Sequence, residues 1–174
     1  MQDPSSVAAV AACLVTAAVA GGVGAAVWAR STATWGLAAL GYRARRDGTY
    51  TRVAGPVAVT FRPPGRWTAR IGVVPGVAFT LVPRRSPTPA DGFEVGHPDV
   101  DRWFHAGSSR GAHARLALTS PAVVDALRPL AHATITFVGD ELDLVSPRPA
   151  AATHRQVLAL AAALAGCADA VRPL

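Results

Sequence analysis

The chain has 174 residues, 51% of them apolar, and its 17 basic residues, all arginine, outweigh 11 acids for a net charge of +6. It contains no lysine and no asparagine. That excludes a phosphate-binding loop ending in Gly-Lys-Ser/Thr, a Schiff-base lysine, N-glycosylation and a papain-type orienting asparagine. Cys13 and Cys167 lie near opposite ends with no Cys-x-x-Cys, so neither a disulfide framework nor a structural zinc site is expected, and no cofactor is implied.

Residues 7–29 carry no charge, long enough for a helix that spans a bilayer. Trp28 stands at an interfacial position and Arg30 ends the run. The segment is rich in Ala, Val and Gly, with Leu14 as its one leucine. A cleaved secretion signal is the first competing reading, but the only charge before Val7 is Asp3, where a signal peptide carries positive charge. Val10-Ala11-Ala12-Cys13 resembles a lipoprotein cleavage box placed too early in its apolar run. A buried Ala-rich helix is the third reading. Arg30, Arg43, Arg45 and Arg46 follow the segment and no arginine precedes it. The positive-inside rule then puts the N-terminus outside and the domain in the cytoplasm, on a single-pass inner-membrane protein. Small residues at four-residue spacing, Ala17/Gly21/Ala25 and Ala18/Gly22/Ala26, would allow a homodimer or a membrane-protein partner through this anchor.

Residues 31–48 form a basic juxtamembrane segment, with a short apolar stretch at 34–41. Tyr50 to Val53 reads as an outer strand. Val57, Val59 and Phe61 alternate with Ala58, Thr60 and Arg62; after Pro63-Pro64-Gly65, Trp67, Ala69, Ile71 and Val73 alternate with polar or small residues. After Pro75-Gly76 the same holds for Val77, Phe79 and Leu81. Period two between such turns is the mark of antiparallel strands covered on one face. A Pro-rich loop occupies 83–92, and 93–106 mixes extended pieces with a His-Pro-Asp turn. Arg115 to Leu118 reads as extended or helical. Ser120 and Pro121 open a short helix that Pro129 ends. Thr134–Val138 and Glu141–Val145 form a hairpin across Gly139-Asp140. A helix over 151–171 carries the apolar stripe Val157, Leu160, Ala161, Leu164, Ala168 and Val171. The expected fold class is α+β: a transmembrane helix (1–30), the basic segment (31–48), and one domain (49–174) with an antiparallel sheet and a long C-terminal helix.

Charge is uneven along the chain. Residues 30–85 hold ten arginines and one acid, a net +9, whereas 86–174 hold seven arginines and nine acids, a net −2. Arg43, Arg45, Arg46, Arg66 and Arg70 are therefore the expected lipid-facing set against anionic headgroups. A solvated arginine face accounts for the same residues. Nucleic acid is disfavoured as a partner, because Phe61 and Trp67 alternate onto the apolar face and no RNA-binding sheet motif is present.

Three clusters carry candidate chemistry. Gly107-Ser108-Ser109-Arg110-Gly111 matches Gly-x-Ser-x-Gly, with Ser109 as nucleophile and His113, His132 or His154 as base, oriented by Asp125 or Asp140. The β/α alternation of a hydrolase sheet is missing, and a Gly/Ser loop accounts for the match. His97, Asp99 and Asp101, with His105 nearby, are the densest metal-capable group, although turn capping explains the aspartates. Asp140, Glu141 and Asp143 read as solvated hairpin charges.

Phe93-Glu-Val, His97-Pro-Asp-Val-Asp101-Arg-Trp-Phe104, Ala114-Arg-Leu-Ala-Leu118-Thr119 and the hairpin resemble an uncharacterised bacterial group. Its members carry N-terminal membrane helices before an α+β domain of unknown function. Asp101 and Phe104 match its Asp-x-x-Phe strand, with Val100 where an aromatic is expected. Leu118 and Thr119 match its Leu-Thr-Pro helix start, with Ser120 inserted before Pro121. The resemblance spans about half the chain and implies membrane association and a similar architecture, but no activity. The functional expectation is a membrane-tethered, non-enzymatic interaction or accessory domain. The alternatives are a serine hydrolase using Ser109 and a lipid or envelope-polymer binder.

Overall fold

A computed structural model describes residues 34, 36–71, 77–148 and 150–167. Trp28, Arg30 and the whole of 7–29 lie outside the described residues. Nine strands form one sheet: β1 (Arg43–Ala44), β2 (Tyr50–Ala54), β3 (Val57–Arg62), β4 (Arg66–Arg70), β5 (Ala78–Pro83), β6 (Gly92–Phe93), β7 (Phe104–Gly107), β8 (Thr134–Val138) and β9 (Glu141–Val145). Among the described residues four α-helices and a short 3-10 turn (Arg128–Leu130) accompany them: α1 (Pro98–Trp103), α2 (Gly111–Leu118), α3 (Pro121–Leu127) and α4 (Ala150–Cys167). The strand order is β1-β2-β3-β4-β9-β8-β5-β7-β6. Every pairing is antiparallel.

Alternation places the side chains. Val57, Val59 and Phe61 on β3, Trp67 and Ala69 on β4, Leu142 and Leu144 on β9, Ile135 and Phe137 on β8, and Phe79 and Leu81 on β5 are all buried. They share one face of the sheet, because the register pairs them across each strand boundary. Helix α4 packs on β3 and β4, α2 on β5, and α3 on α4. Leu160, Ala161 and Leu164 of α4 close the core. Leu37 and Tyr42, ahead of β1, belong to the same core. The opposite face presents Thr60, Thr68, Asp143, Thr136 and Thr80 in one cross-strand row.

The two-residue β8–β9 turn works because Gly139 adopts φ +64°, which an L side chain resists. Pro63-Pro64 is a cis peptide in the β3–β4 turn. The β8–β9 hairpin sits between β4 and β5 and separates strands that are consecutive in the chain. A direct β3-β4-β5 meander is therefore not formed.

The expected transmembrane element requires correction. Among the described residues no helix is long and apolar enough to cross a membrane. The described fold is an α+β domain with a nine-stranded antiparallel sheet and a C-terminal helix, and it contains no spanning helix. The physical weakness is in the composition of 7–29, where alanine and glycine outnumber the one leucine and supply little drive for insertion.

Candidate anion-binding cleft

The Gly-x-Ser-x-Gly segment forms the passage from β7 into α2. Ser108 donates to the Ala78 carbonyl oxygen and accepts from the Arg110 N–H at 3.0 Å. Ser109 is exposed, His113 is exposed on α2, and no hydrogen bond joins either to the other among the described residues. His132 bonds Ser146, and His154 is buried in α4. Asp125 pairs with Arg128. The structure therefore scatters the hydrolase set.

The metal-capable cluster is built as a turn. Asp101 Oδ1 accepts the Val95 N–H and Oδ2 the Gly96 N–H, each at 2.9 Å. Asp99 faces Arg128 at 3.8 Å, and the Nδ1 of His97 is buried without a hydrogen bond. Among the described residues no three His, Cys, Asp or Glu side chains group as metal ligands. Asp101→Ala strands two backbone donors at the entry to α1, an expected loss of about 1–2 kcal/mol in urea unfolding. Unchanged unfolding would show that water satisfies these donors.

The lipid-facing set is divided. Arg66 Nε reaches Asp143 Oδ1 at 3.0 Å and Oδ2 at 3.1 Å, and its Nη2 also bonds Oδ2. The bond and charge of Asp143 hold the Arg66 guanidinium above its ordinary pKa. Arg70 faces Glu141 at 3.8 Å. Because the Arg66–Asp143 pair is exposed, Asp143→Asn is expected to leave the melting temperature within about 2 °C of the parent. A larger fall would mark the pair as structural. Arg43 and Arg45 line a shallow groove with Thr51, Arg52 and Thr60. Arg45 Nε donates to Thr51 Oγ1 at 3.3 Å, and Arg46 is exposed.

The denser cationic site lies elsewhere. Four chain segments meet at one end of the sheet, where β5 and β9 finish and β7 and β8 begin. They enclose an open cleft of about 640 Å³ that carries Arg84, Arg85, Arg102, Arg128 and Arg148 together with His132 and Trp103. Each segment is fixed locally. The turn after β5 is closed by the Ser86 N–H on the Pro83 carbonyl at 2.7 Å, which puts Arg84 and Arg85 at its centre. The Arg84 N–H donates to the Trp103 carbonyl at 2.9 Å and ties this turn to the end of α1. Arg84 Nη1 donates to His105 Nδ1 at 3.0 Å. The Ser146 hydroxyl lies 3.1 Å from His132 Nε2 and accepts the Arg148 N–H at 3.1 Å.

Arg128 is the balanced member. Its guanidinium lies 5.8 Å from the Trp103 ring centroid and faces Asp99 at 3.8 Å and Asp125 at 3.9 Å. Among the described residues Arg84, Arg85, Arg102 and Arg148 have no carboxylate partner. Guanidiniums stay charged at any physiological pH and present forked donors suited to oxyanions. Arg102 comes from the half of the chain that the charge count makes acidic, as do Arg128 and Arg148, so the sum over that half conceals the site. The local signal was an arginine beside a turn proline or an aromatic: Pro83-Arg84-Arg85, Arg102-Trp103, Arg128-Pro129 and Arg148-Pro149.

Burial, and then the nearby Arg148, hold His132 below the ordinary histidine pKa of 6.5. His154 is depressed chiefly by burial, with Arg52 and Arg155 adding to it. Burial pushes Tyr42 up to about 12, with Arg52 opposing. Both histidines bind protons more weakly folded than unfolded, so below 6.5 the unfolded chain takes up more protons. Their effect is absent above 6.5, and stability falls as pH drops through 6.5 toward the folded values. The urea midpoint is expected to decline between pH 7.5 and 5.5, and the decline should shrink in His154→Gln. A flat profile would contradict this.

Comparison with known proteins finds no family model, no curated protein and no solved structure that matches this chain.

Proposed function

We propose that this chain is a non-enzymatic binding module that engages an anionic partner through the arginine-lined cleft. The observation that carries the reading is the convergence of five arginines from four separated segments, four of them without a carboxylate partner among the described residues. Bringing like charges together raises the energy of the free domain, and an anion relieves that repulsion on binding. The dispersal of Ser109, His113 and the remaining histidines supports binding over hydrolysis.

Heparin chromatography of the full chain tests the proposal with an immobilised sulfated polyanion. Retention is expected at low salt, with elution as salt rises. The triple variant R85Q/R102Q/R148Q should elute at clearly lower salt, while R43Q/R45Q/R46Q elutes close to the parent. The opposite order would overturn the proposal and return the binding face to the β1–β2 edge.

A further inference from the structure

Resting on that reading, we infer that the cleft is a site for a diphosphoryl group carried on a small organic body. Three observations lead there.

The first is charge. Four arginines lack a carboxylate partner among the described residues: Arg84, Arg85, Arg102 and Arg148. A carboxylate offers one negative charge and a terminal phosphoryl group about 1.5 to 2. Two phosphoryl groups match four guanidiniums, and their tetrahedral oxygens accept forked N–H pairs from several directions at once.

The second is spread. Along the sheet end the order is β9, β8, β5, β7. Arg148 follows β9 and Arg102 precedes β7. Three strand spacings of about 4.8 Å separate those ends. A ligand with two anionic groups can meet cations supplied from both sides, where a single small anion satisfies one side best.

The third is volume and wall chemistry. About 640 Å³ greatly exceeds one oxyanion and lies within the range of pockets that hold nucleotide-sized molecules. Pro83, Pro129 and Ala131 give the cleft an apolar wall among the arginines. Such a wall suits the organic part of the ligand and serves no purpose for a bare ion.

The same diphosphoryl chemistry occurs on soluble metabolite-sized molecules and on lipids whose headgroup is joined through a diphosphate, and the test separates the two. Calorimetric titration of the full chain compares inorganic phosphate, pyrophosphate, adenosine diphosphate and citrate, with vesicle sedimentation run alongside. Pyrophosphate and adenosine diphosphate are expected to bind at least about tenfold more tightly than phosphate or citrate. Adenosine diphosphate should be no weaker than pyrophosphate. R102Q/R148Q should lose about tenfold for both with an unchanged melting temperature, since both side chains are exposed. Adenosine diphosphate binding without sedimentation on vesicles bearing a diphosphate-linked lipid headgroup supports the soluble source. Sedimentation that free pyrophosphate reverses supports the lipid source.

Citrate equal to pyrophosphate, with heparin retention intact, overturns the diphosphoryl assignment and leaves the anionic-partner reading standing. Loss of every anion and of heparin retention overturns both.

Discussion

Trp67→Ala is expected to destabilise the domain by about 3–5 kcal/mol, a fall of roughly 10–15 °C in melting temperature for a chain of this size. Trp67 is fully buried on β4, one of the inner strands. Its ring centroid lies 4.6 Å from that of Phe61 and 5.9 Å from that of Tyr42. Truncation removes the largest side chain in the core and leaves a void that β3 and β9, held by ladder hydrogen bonds on either side, cannot close. Nε1 of Trp67 makes no hydrogen bond among the described residues, and neither does the hydroxyl of Tyr42 nor Nδ1 of His154, whose rings adjoin. Trp67→Phe therefore loses volume but also removes a buried donor that costs about 1–3 kcal/mol. It should be milder than Trp67→Ala by at least 2 kcal/mol or so. Urea unfolding of the two variants decides the matter. Equal losses would mean that the indole N–H is satisfied in solution.

The faces of β3, β4, β5, β8 and β9 were readable from alternation, because a half-buried strand repeats every two residues whatever its neighbours are. The Gly139-Asp140 turn gave the hairpin for the same local reason. The neighbour order was not readable. Nothing in Trp67 or Leu144 says that they will sit side by side, and the β9–β8 insertion between β4 and β5 is a long-range pairing that no local period encodes. The stretch from Gly92 to Gly107 stayed ambiguous because it divides into β6, α1 and β7, each too short to show a period. The helical reading of Arg115 to Leu118 resolved only when Ala114, Ala117 and Leu118 packed inward on α2.

The site was hidden for a related reason. Net charge by segment placed the cationic surface at 30–85. Folding cancels Arg66 and Arg70 against Asp143 and Glu141 on the next strand, 77 positions away in the case of Arg66 and Asp143. It then gathers arginines that the count treated as scattered. A charge sum is blind to pairing, and pairing in an antiparallel sheet follows register. Arg66 opposes Val145 across β4 and β9 and reaches diagonally to Asp143, so that register and the length of the arginine decide which cations remain free.

Gly65→Ala is the change that ties fold to cleft, with an expected cost of about 3 kcal/mol and roughly 10 °C in melting temperature. Gly65 is buried in the β3–β4 turn, and its carbonyl accepts the Ser146 N–H at 2.9 Å. A methyl group there would collide with the Ser146 carbonyl oxygen and lie 3.3 Å from the carbonyl carbon. The obstacle is backbone on both sides, so no side-chain rotation relieves it and the β9–α4 connection has to move. Ser146 is the residue whose hydroxyl holds both His132 and the Arg148 N–H. Displacing it loosens two walls of the cleft at once, and retention on heparin should weaken together with stability. Gly55→Ala is the control. Gly55 has φ +60° with open space around its Cβ position, so its cost is the left-handed backbone alone, about 1 kcal/mol, with heparin retention unchanged. Parental stability and retention in Gly65→Ala would show that the turn is free to withdraw from Ser146, and that the cleft does not depend on this contact.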